Sequence, residues 1–260
     1  MRLKLHISPC PNDTFMFDAL VNGRIDTGSL RFEVEYHDIE ELNRGAGLGR
    51  ADISKISCAV LPAIAEHYAL LDSGAALGRG NGPLLVRRAG DTRPIRRVTV
   101  PGLHTTANAL MGKLFPQIEE CTPLLFSRIA AAVERGDFDA GVLIHEGRFV
   151  YRERELELVA DLGQLWEQRT ALPLPLPLGG IAARRSLPDE VRHEAERLLR
   201  TSIEYAFTHP EASRTYIKQH AQELDDKVID AHIALFVNGY SLSLGDEGRR
   251  AVEALTGVIP

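Results

Sequence analysis

The chain has 260 residues, of which 44% are hydrophobic and 25% are charged, and its formal net charge at pH 7 is −6. These values are typical of a globular protein with one large or two small domains, and they exclude a disordered or fibrous chain. Because no block of Lys and Arg stands out, no nucleic-acid partner is predicted. No apolar run approaches the roughly 20 residues of a membrane-spanning helix, so no membrane partner is predicted either.

Strands and helices alternate through the first half of the chain. Strict alternation of apolar and polar residues predicts a half-buried strand over residues 30–36, and Asn12 or Asp13 is suited to cap the first helix. The elements predicted in chain order are strand 3–7, helix 14–21, strand 30–36, helix 38–44, strand 53–56, helix 59–67, and strands 68–71 and 84–88.

A second unit of the same kind begins near Gly90. Its predicted elements are strand 97–100, helix 105–114, helix 127–135, strand 139–144 and helix 162–169. Three alternating prolines within residues 172–180 are incompatible with a helix or a central strand, so this segment is predicted to be an extended crossover.

The remainder of the chain is predicted to be mainly helical. Ser186 is predicted to cap a long helix that ends at His209-Pro210. Further helices are predicted over residues 211–221, 227–237 and 247–255.

This order of elements predicts an α/β fold of two lobes, each a wound sheet flanked by helices, with a helical C-terminal region. Lobe 1 is predicted to comprise residues 1–89 and 180–260, and lobe 2 residues 90–179. Two crossings between lobes imply a hinge and a substrate cleft. Ligands of open α/β sheets bind beyond the carboxyl ends of strands, so the residues after strands are the candidate site residues.

Two candidate segments lie in the first predicted lobe. Residues 8–14 follow the first strand and run straight into a helix, whose start can hold an anion or can simply be a capped turn. Ser54-Lys55-Ile56-Ser57 either neutralises a substrate carboxylate or carries a surface lysine. The glycine-rich segments 45–49 and 78–83 lack the spacing of nucleotide-binding loops, so nucleotide binding is not predicted.

The second unit offers two more informative segments. Residues 101–107 place Thr105 and Thr106 at a helix start, where backbone N–H groups suit a carboxylate; simple helix capping is the alternative. His145 follows the most apolar strand and is a candidate general base, because histidine titrates near neutral pH. Glu146 either orients His145 or faces water. There is no HExxH, paired-Cys or GxSxG motif, so no metal site is predicted.

The N-terminal sequence and the cysteines favour a cytoplasmic protein. Residues 1–7 carry positive charge but lead directly into the Pro-, Asn- and Asp-rich residues 8–13, which is not the pattern of a signal peptide. The three cysteines are too few and too scattered for a disulfide framework.

Five segments, in this order, resemble the 1,4-dihydroxy-6-naphthoate synthases, enzymes of the futalosine route to menaquinone. They are Ser8-Pro9-Cys10-Pro11-Asn12-Asp13-Thr14-Phe15, Ser54-Lys55-Ile56-Ser57, Gly80-Asn81-Gly82-Pro83-Leu84, Pro101-Gly102 with Thr105-Thr106-Ala107, and Ile144-His145-Glu146-Gly147-Arg148. The likeness continues through residues 176–179 to Arg184-Arg185, whereas the C-terminal helices match only in general character.

The resemblance implies a two-lobed fold with mixed sheets, like that of the type II periplasmic binding proteins. It also implies a carbon–carbon lyase that needs no metal or organic cofactor. The implied substrate is a small carboxylate, cyclic dehypoxanthine futalosine, which is split into 1,4-dihydroxy-6-naphthoate and dihydroxyacetone.

The resemblance points to His145, and the chemistry of the implied reaction suggests roles for eight further residues. His145 matches the family's histidine and is the implied general base, while Thr105, Thr106 and the amide of Ala107 would hold the substrate carboxylate. By hypothesis, five residues line the opposite wall and contact sugar hydroxyls or carbonyls: Asn12, Ser54, Lys55, Ser57 and Asn81.

Three other functions stay open. A cytoplasmic binding protein for a small carboxylate would share the fold and the anion site but would need no base. The sister enzyme chorismate dehydratase also resembles this fold, although the run from Ser8 to Phe15 favours the synthase. A ligand-sensing domain ranks last, because no helix-turn-helix module is seen and the charge is acidic.

Overall fold

The computed structural model describes residues 1–118, 120–145, 147–169, 173–222 and 224–260. Strands and helices alternate in its first part much as the sequence predicts. The elements up to Gly78 are β1 (Arg2–Ile7), α1 (Pro11–Val21), β2 (Arg31–Tyr36), α2 (Ile39–Gly47), β3 (Ile53–Ser57), α3 (Leu61–Ile64), β4 (Tyr68–Leu70) and β5 (Ala76–Gly78).

The middle of the chain contains five strands and four helices among the described residues. They are β6 (Leu84–Arg88), β7 (Arg97–Val100), α4 (Thr106–Leu114), β8 (Glu120–Pro123), α5 (Phe126–Arg135), β9 (Ala140–Leu143), α6 (Gly147–Val150), β10 (Leu156–Asp161) and α7 (Leu162–Arg169).

The last part of the chain begins with a strand and continues as helices. Its elements are β11 (Leu176–Arg184), α8 (Asp189–Thr208), α9 (Arg214–His220), α10 (Asp226–Phe236), α11 (Gly239–Leu242) and α12 (Gly245–Thr256). Within the described ranges, no helix combines the length and the apolar character needed to cross a bilayer.

The chain divides into two compact units. Unit 1 comprises Met1–Gly78 and Pro177–Pro260, and unit 2 comprises Arg79–Leu176. The sequence analysis predicted both boundaries between the units farther along the chain, after residues 89 and 179. Strand β6, predicted in the first unit, therefore belongs to the second.

Unit 1 is built on a mixed sheet in the order β2-β1-β3-β11-β4, with β5 paired to β11. Strand β1 is parallel to β2 and β3, and β11 runs antiparallel to β3 and β4. Alternate residues of β1 (Leu3, Leu5 and Ile7) enter a buried core with apolar residues of α1 and α8. The Ser202 hydroxyl links these two helices, since it donates to the Met16 carbonyl and accepts from the Leu20 amide.

Unit 2 contains a second mixed sheet in the order β10-β6-β9-β7-β8. Strand β7 is parallel to β8 and β9, whereas β6 is antiparallel to β9 and β10. Its core joins residues of β6 and β9 to the inner face of α5, including Ile129 and Val133.

The proline-rich segment corrects one prediction. From Leu176 onward it is not a crossover but β11, an inner strand that pairs with β3 from Gly179 to Ala183. Pro177 is tolerated because it precedes the residues paired with β3, while Pro173 and Pro175 lie before the strand. Leu172 lies outside the described residues.

Two predicted helix caps are also wrong. Helix α1 begins at Pro11 with Cys10 in the capping position, so Asn12 and Asp13 lie inside its first turn. Proline suits this position because its missing N–H would have no partner there. Helix α8 is preceded by Pro188 instead of Ser186.

The elements that the sequence analysis missed are short: β5, β8, β10, α6 and α11 have between three and six residues each. A single helical turn, as in α6 and α11, is too short to show helical periodicity, and residues 156–161 of β10 lack the strict alternation of β2.

Candidate functional site

One group of the predicted site residues lies at the carboxyl ends of β1 and β3 in unit 1. These strands are parallel neighbours, with His6 opposite Ser54, so the segments that follow them emerge at the same edge of the sheet. This edge is where open α/β sheets bind ligands.

The carboxylate of Asp13 lies at the centre of a buried polar cluster at this edge. Its Oδ2 accepts from the Ser8 hydroxyl at 2.7 Å and from the Ser8 amide at 3.1 Å. Its Oδ1 accepts from Asn12 Nδ2 at 2.9 Å and from Lys55 Nζ at 3.0 Å. Because Asp13 is fully buried and Lys55 nearly so, the charge of Lys55 is compensated inside the protein.

The neighbouring predicted residues are also held by hydrogen bonds. The Asn12 side-chain oxygen lies 3.0 Å from Nε2 of the buried His232. Ser57 Oγ accepts from Asn43 Nδ2 at 3.0 Å, and the Ser57 amide donates to Asn43 Oδ1 at 2.8 Å. Ser54 Oγ donates to the Lys55 carbonyl at 2.9 Å. The structure therefore brings Asn12 and Lys55 together on one carboxylate and ties Ser57 to α2.

Sequence reasoning missed the residues that hold this group together. Asp13 was considered only as a helix cap, while Asn43 and His232 lay within the predicted helices 38–44 and 227–237 and were given no role in the site. The position of Asp13 in the distinctive run from Ser8 to Phe15 was the one available signal.

A second group of predicted residues lies at one edge of the unit 2 sheet. Strands β7 and β9 are parallel neighbours, with Thr99 opposite Gly141. Strand β6 runs antiparallel to β9, with Leu84 opposite Leu143. The ends of β7 and β9 and the start of β6 therefore share an edge. The segments at this edge carry Asn81, Thr105, Thr106, Ala107 and His145.

The threonine segment is a capped helix start. Thr105 Oγ1 accepts from the Asn108 amide at 3.2 Å and donates to the Gly102 carbonyl at 2.7 Å, so this hydroxyl serves as the N-cap of α4. The first amides of a helix have no acceptor within the helix. Thr106 and Ala107, both buried, begin this helix, and the start of a helix is the part of the segment that suits an anion.

His145 has an unusual backbone conformation. Its φ of +51° is the only positive value of a non-glycine residue in the described part of the chain. Such a left-handed residue is uncommon and is retained only where its surroundings enforce it. Here the His145 carbonyl accepts from the Arg148 amide at 3.3 Å, and the ring of Phe126 contacts the imidazole edge to face, with centroids 5.1 Å apart. Glu146 lies outside the described residues.

Arg148 joins the turn of His145 to the glycine-rich segment that precedes β6. Its Nη2 donates to the Gly80 carbonyl at 2.7 Å and to Asp161 Oδ2 at 3.1 Å, and its Nη1 donates to the Gly82 carbonyl. Asp161 Oδ1 in turn accepts from the Gly163 amide at 2.9 Å.

Only glycine fits at position 82. A Cβ added to Gly82 would lie 2.1 Å from the Gly163 amide nitrogen. Because the backbones of Gly82 and Gly163 are in direct contact, the segment that carries the buried Asn81 is held between Arg148 and the start of α7.

A family model described as menaquinone biosynthesis matches residues 3–259 of the chain. The 1,4-dihydroxy-6-naphthoate synthase of Thermus thermophilus is 46% identical over 255 residues, which cover 97% of this chain and 92% of the relative. The enzyme of the same name from Streptomyces coelicolor is 41% identical over 259 residues, which cover 97% and 91%.

Solved structures show the same fold. A crystal structure of a protein from Archaeoglobus fulgidus has 33% identity and a TM-score of 0.92, with 98% of this chain and 95% of that chain covered. A Candida albicans protein with the generic periplasmic binding protein fold has 13% identity and a TM-score of 0.71, with 100% and 92% covered. The alkanesulfonate-binding protein of Xanthomonas axonopodis, bound to MOPS, has 14% identity and a TM-score of 0.69, with 97% and 90% covered. The predicted α/β fold of the periplasmic-binding-protein kind is therefore confirmed.

Proposed function

We propose, because this chain belongs to the menaquinone biosynthesis family of the 1,4-dihydroxy-6-naphthoate synthases, that it splits cyclic dehypoxanthine futalosine into 1,4-dihydroxy-6-naphthoate and dihydroxyacetone. The observation that carries the proposal is the likeness to two curated enzymes of that name over nearly the whole chain. On this proposal the protein is a cytoplasmic carbon–carbon lyase that uses its own side chains and no cofactor.

The proposed reaction needs removal of a proton, cleavage of a carbon–carbon bond and aromatisation. The gain of aromaticity supplies much of the driving force, so the protein must provide a base, a carboxylate clamp and a site poor in water. His145 is the proposed base. Its place two residues after β9 and its left-handed backbone support this role, because a base must be held within reach of one particular proton.

The remaining contacts follow from the two groups of polar residues. Thr106 and the amide of Ala107 are proposed to hold the substrate carboxylate, with Thr105 completing the helix start. The residues proposed to contact sugar hydroxyls or carbonyls are Asn12, Ser54, Lys55, Ser57 and Asn81. Because Asp13 compensates its charge, Lys55 suits a hydrogen bond to a neutral substrate oxygen better than a lone ion pair with the carboxylate.

Thr106→Ala is expected to raise KM more than it lowers kcat. A clamp binds the carboxylate equally in the ground state and the transition state, and removal of uniform binding appears in KM. A hydrogen bond to a charged group contributes about 1.5–3 kcal/mol of binding free energy, and its loss predicts a rise in KM of about 10- to 100-fold. Steady-state kinetics measure the change, with Thr106→Ser as the matched control that keeps the hydroxyl. An unchanged KM would reject the clamp.

Arg148 is proposed to be a positioning residue that holds both the His145 turn and the Gly80–Gly82 segment. Arg148→Met is expected to lower kcat by about 100-fold, the size of effect that a displacement of about 1 Å at a reacting group produces. Arg148→Lys is expected to restore little, since an ammonium cannot reproduce the two-armed contact with both carbonyls and Asp161.

The readouts for Arg148 are kcat, KM and the free energy of unfolding of the same samples. Arg152→Met removes an exposed arginine nearby and serves as the control. A loss of activity that merely follows the loss of folded protein would reduce Arg148 to a structural role.

The test of the whole proposal is turnover of cyclic dehypoxanthine futalosine by the purified protein, followed as formation of dihydroxynaphthoate and carried out with and without EDTA. Product formation under both conditions supports the proposal. Tight binding of a small carboxylate without turnover would instead make the protein a binding protein, as the alkanesulfonate-binding protein of Xanthomonas axonopodis is. Turnover of chorismate alone would assign the sister enzyme.

A further inference from the structure

A cluster of two histidines and a glutamate lies on β1 and β2 in unit 1, and none of the three belongs to the proposed substrate site. His6 of β1 stands opposite Glu35 of β2 in the parallel register, and His37 follows β2 directly. Residues two apart on a strand share a face, so Glu35 and His37 both project towards His6. One ligand atom from each of the three lies within 4.8 Å of the others.

The distances in this cluster match those between the ligands of a tetrahedral metal ion. Glu35 Oε2 lies 3.4 Å from His6 Nε2 and 3.2 Å from His37 Nε2. Bonds of about 2.0–2.1 Å from zinc to nitrogen or oxygen place neighbouring ligand atoms of a tetrahedron about 3.3–3.4 Å apart. Two edges of such a tetrahedron are therefore already formed.

His6 supplies a second, independent indication. Its residue exposure is 6%, and its Nε2 makes no hydrogen bond within the described residues, because the Glu35 carboxylate, 3.4 Å away, is not in hydrogen-bond geometry with it. A buried polar atom without a partner is costly, and native proteins rarely leave one unexplained. A metal ion bound to this nitrogen would satisfy it.

The other ring nitrogen of His37, Nδ1, lies near a second carboxylate, that of Glu41. His37 Nδ1 lies 3.5 Å from Glu41 Oε2 in the first turn of α2. Metal-binding histidines commonly donate their other ring N–H to a carboxylate, which fixes the tautomer and the direction of the ring. Glu41 is placed to do this while Nε2 of His37 faces Glu35. Glu35 and His37 are partly exposed, so an ion can enter from solvent.

We propose that His6, Glu35 and His37 bind one divalent transition-metal ion, with Glu41 orienting His37 and water completing the coordination. The two imidazoles and one carboxylate suit Zn²⁺ or a neighbouring first-row ion, whereas Mg²⁺ and Ca²⁺ prefer sets of oxygen ligands. Since β2 is the edge strand of its sheet, the ion would fasten this edge to β1. This site does not depend on the proposed reaction.

The test uses the full-length protein after removal of metals by EDTA and dialysis. Titration with ZnCl₂ in a calorimeter is expected to show one tight equivalent and a rise in Tm, since an ion that binds only the folded state stabilises it. An excess of Mg²⁺ is expected not to displace the zinc.

Variants at the exposed ligands localise the site. His37→Gln and Glu35→Gln are each expected to weaken zinc binding at least about tenfold, because loss of even an outer partner of a ligand costs this much. His193→Gln, at an exposed histidine of α8, is the matched control and is expected to bind like the wild type. All comparisons are made in the Cys121→Ser background, which removes a partly exposed thiol.

Two results would overturn the proposal. The first is a wild-type protein that takes up no stoichiometric zinc. The second is binding that both ligand variants retain as well as His193→Gln does. In either case His6, Glu35 and His37 form an ion-pair network only.

Discussion

His145→Asn is expected to lower kcat for dihydroxynaphthoate formation by about 10²- to 10⁴-fold, the usual contribution of a positioned general base. Asparagine is the sharpest substitution here because it tolerates a positive φ better than other residues without a base. At φ +51° it should preserve the turn after β9 while it removes the imidazole. Turnover at saturating substrate measures the effect.

The controls separate loss of the base from strain of the backbone. His145→Ala removes the same base but places an alanine in the left-handed region, which costs about 1–2 kcal/mol. Similar kcat values for the two variants would assign the loss to the base. The acid limb of the pH–rate profile, which a histidine base produces when it is protonated, should disappear in both. Activity of His145→Asn within tenfold of the wild type would discard His145 as the base and leave the synthase proposal standing.

Asp13→Asn is expected to lower the free energy of unfolding by about 3–5 kcal/mol, because it leaves a buried lysine without its counter-charge. Lys55 Nζ lies 3.0 Å from Asp13 Oδ1, and both side chains are enclosed. Removal of the second charge as well, in Asp13→Asn with Lys55→Met, is expected to recover most of the loss, since no uncompensated ion then remains. Urea unfolding followed by far-UV circular dichroism measures all three proteins.

An exposed ion pair provides the matched comparison for Asp13. Arg200 and Glu204 form a pair on α8 at 3.1 Å, with about half of each side chain exposed. Glu204→Gln is expected to change the free energy of unfolding by no more than about 0.5 kcal/mol. A cost for Asp13→Asn as small as this would contradict the buried pair and would return Lys55 to the role of a cation available to the substrate carboxylate.

Strands such as β1, β2 and β7 were predictable because apolar alternation and flanking turn residues are properties of a few neighbouring residues. The proline-rich segment was misjudged for the opposite reason. A proline excludes a strand only where its missing N–H is needed, and the pairing of β11 with β3 leaves Pro177 outside the paired stretch.

In the candidate site too, some features were predictable from the sequence and others were not. Motifs in the chain were enough to point to His145, to the threonine segment and to Lys55, because these residues lie at or near the ends of strands and stand in characteristic local runs. Their physical roles depended on partners that are distant in sequence. Asp13 turned from a helix cap into the counter-ion of Lys55, 42 residues away, and Arg148 reached back to the Gly82 carbonyl across 66 residues.

Local sequence patterns therefore established the family, most of the strands and the segments that carry the candidate chemistry, since each of these is written in consecutive residues. The tertiary structure, through strand order and register, decided which charges form ion pairs and which donors reach which acceptors. His6 and Glu35 illustrate the reason, because they are separated along the chain and become neighbours only through the parallel pairing of β1 with β2. A contact of this kind depends on the register of the packed sheet, and the spacing of the two residues in the sequence does not predict it.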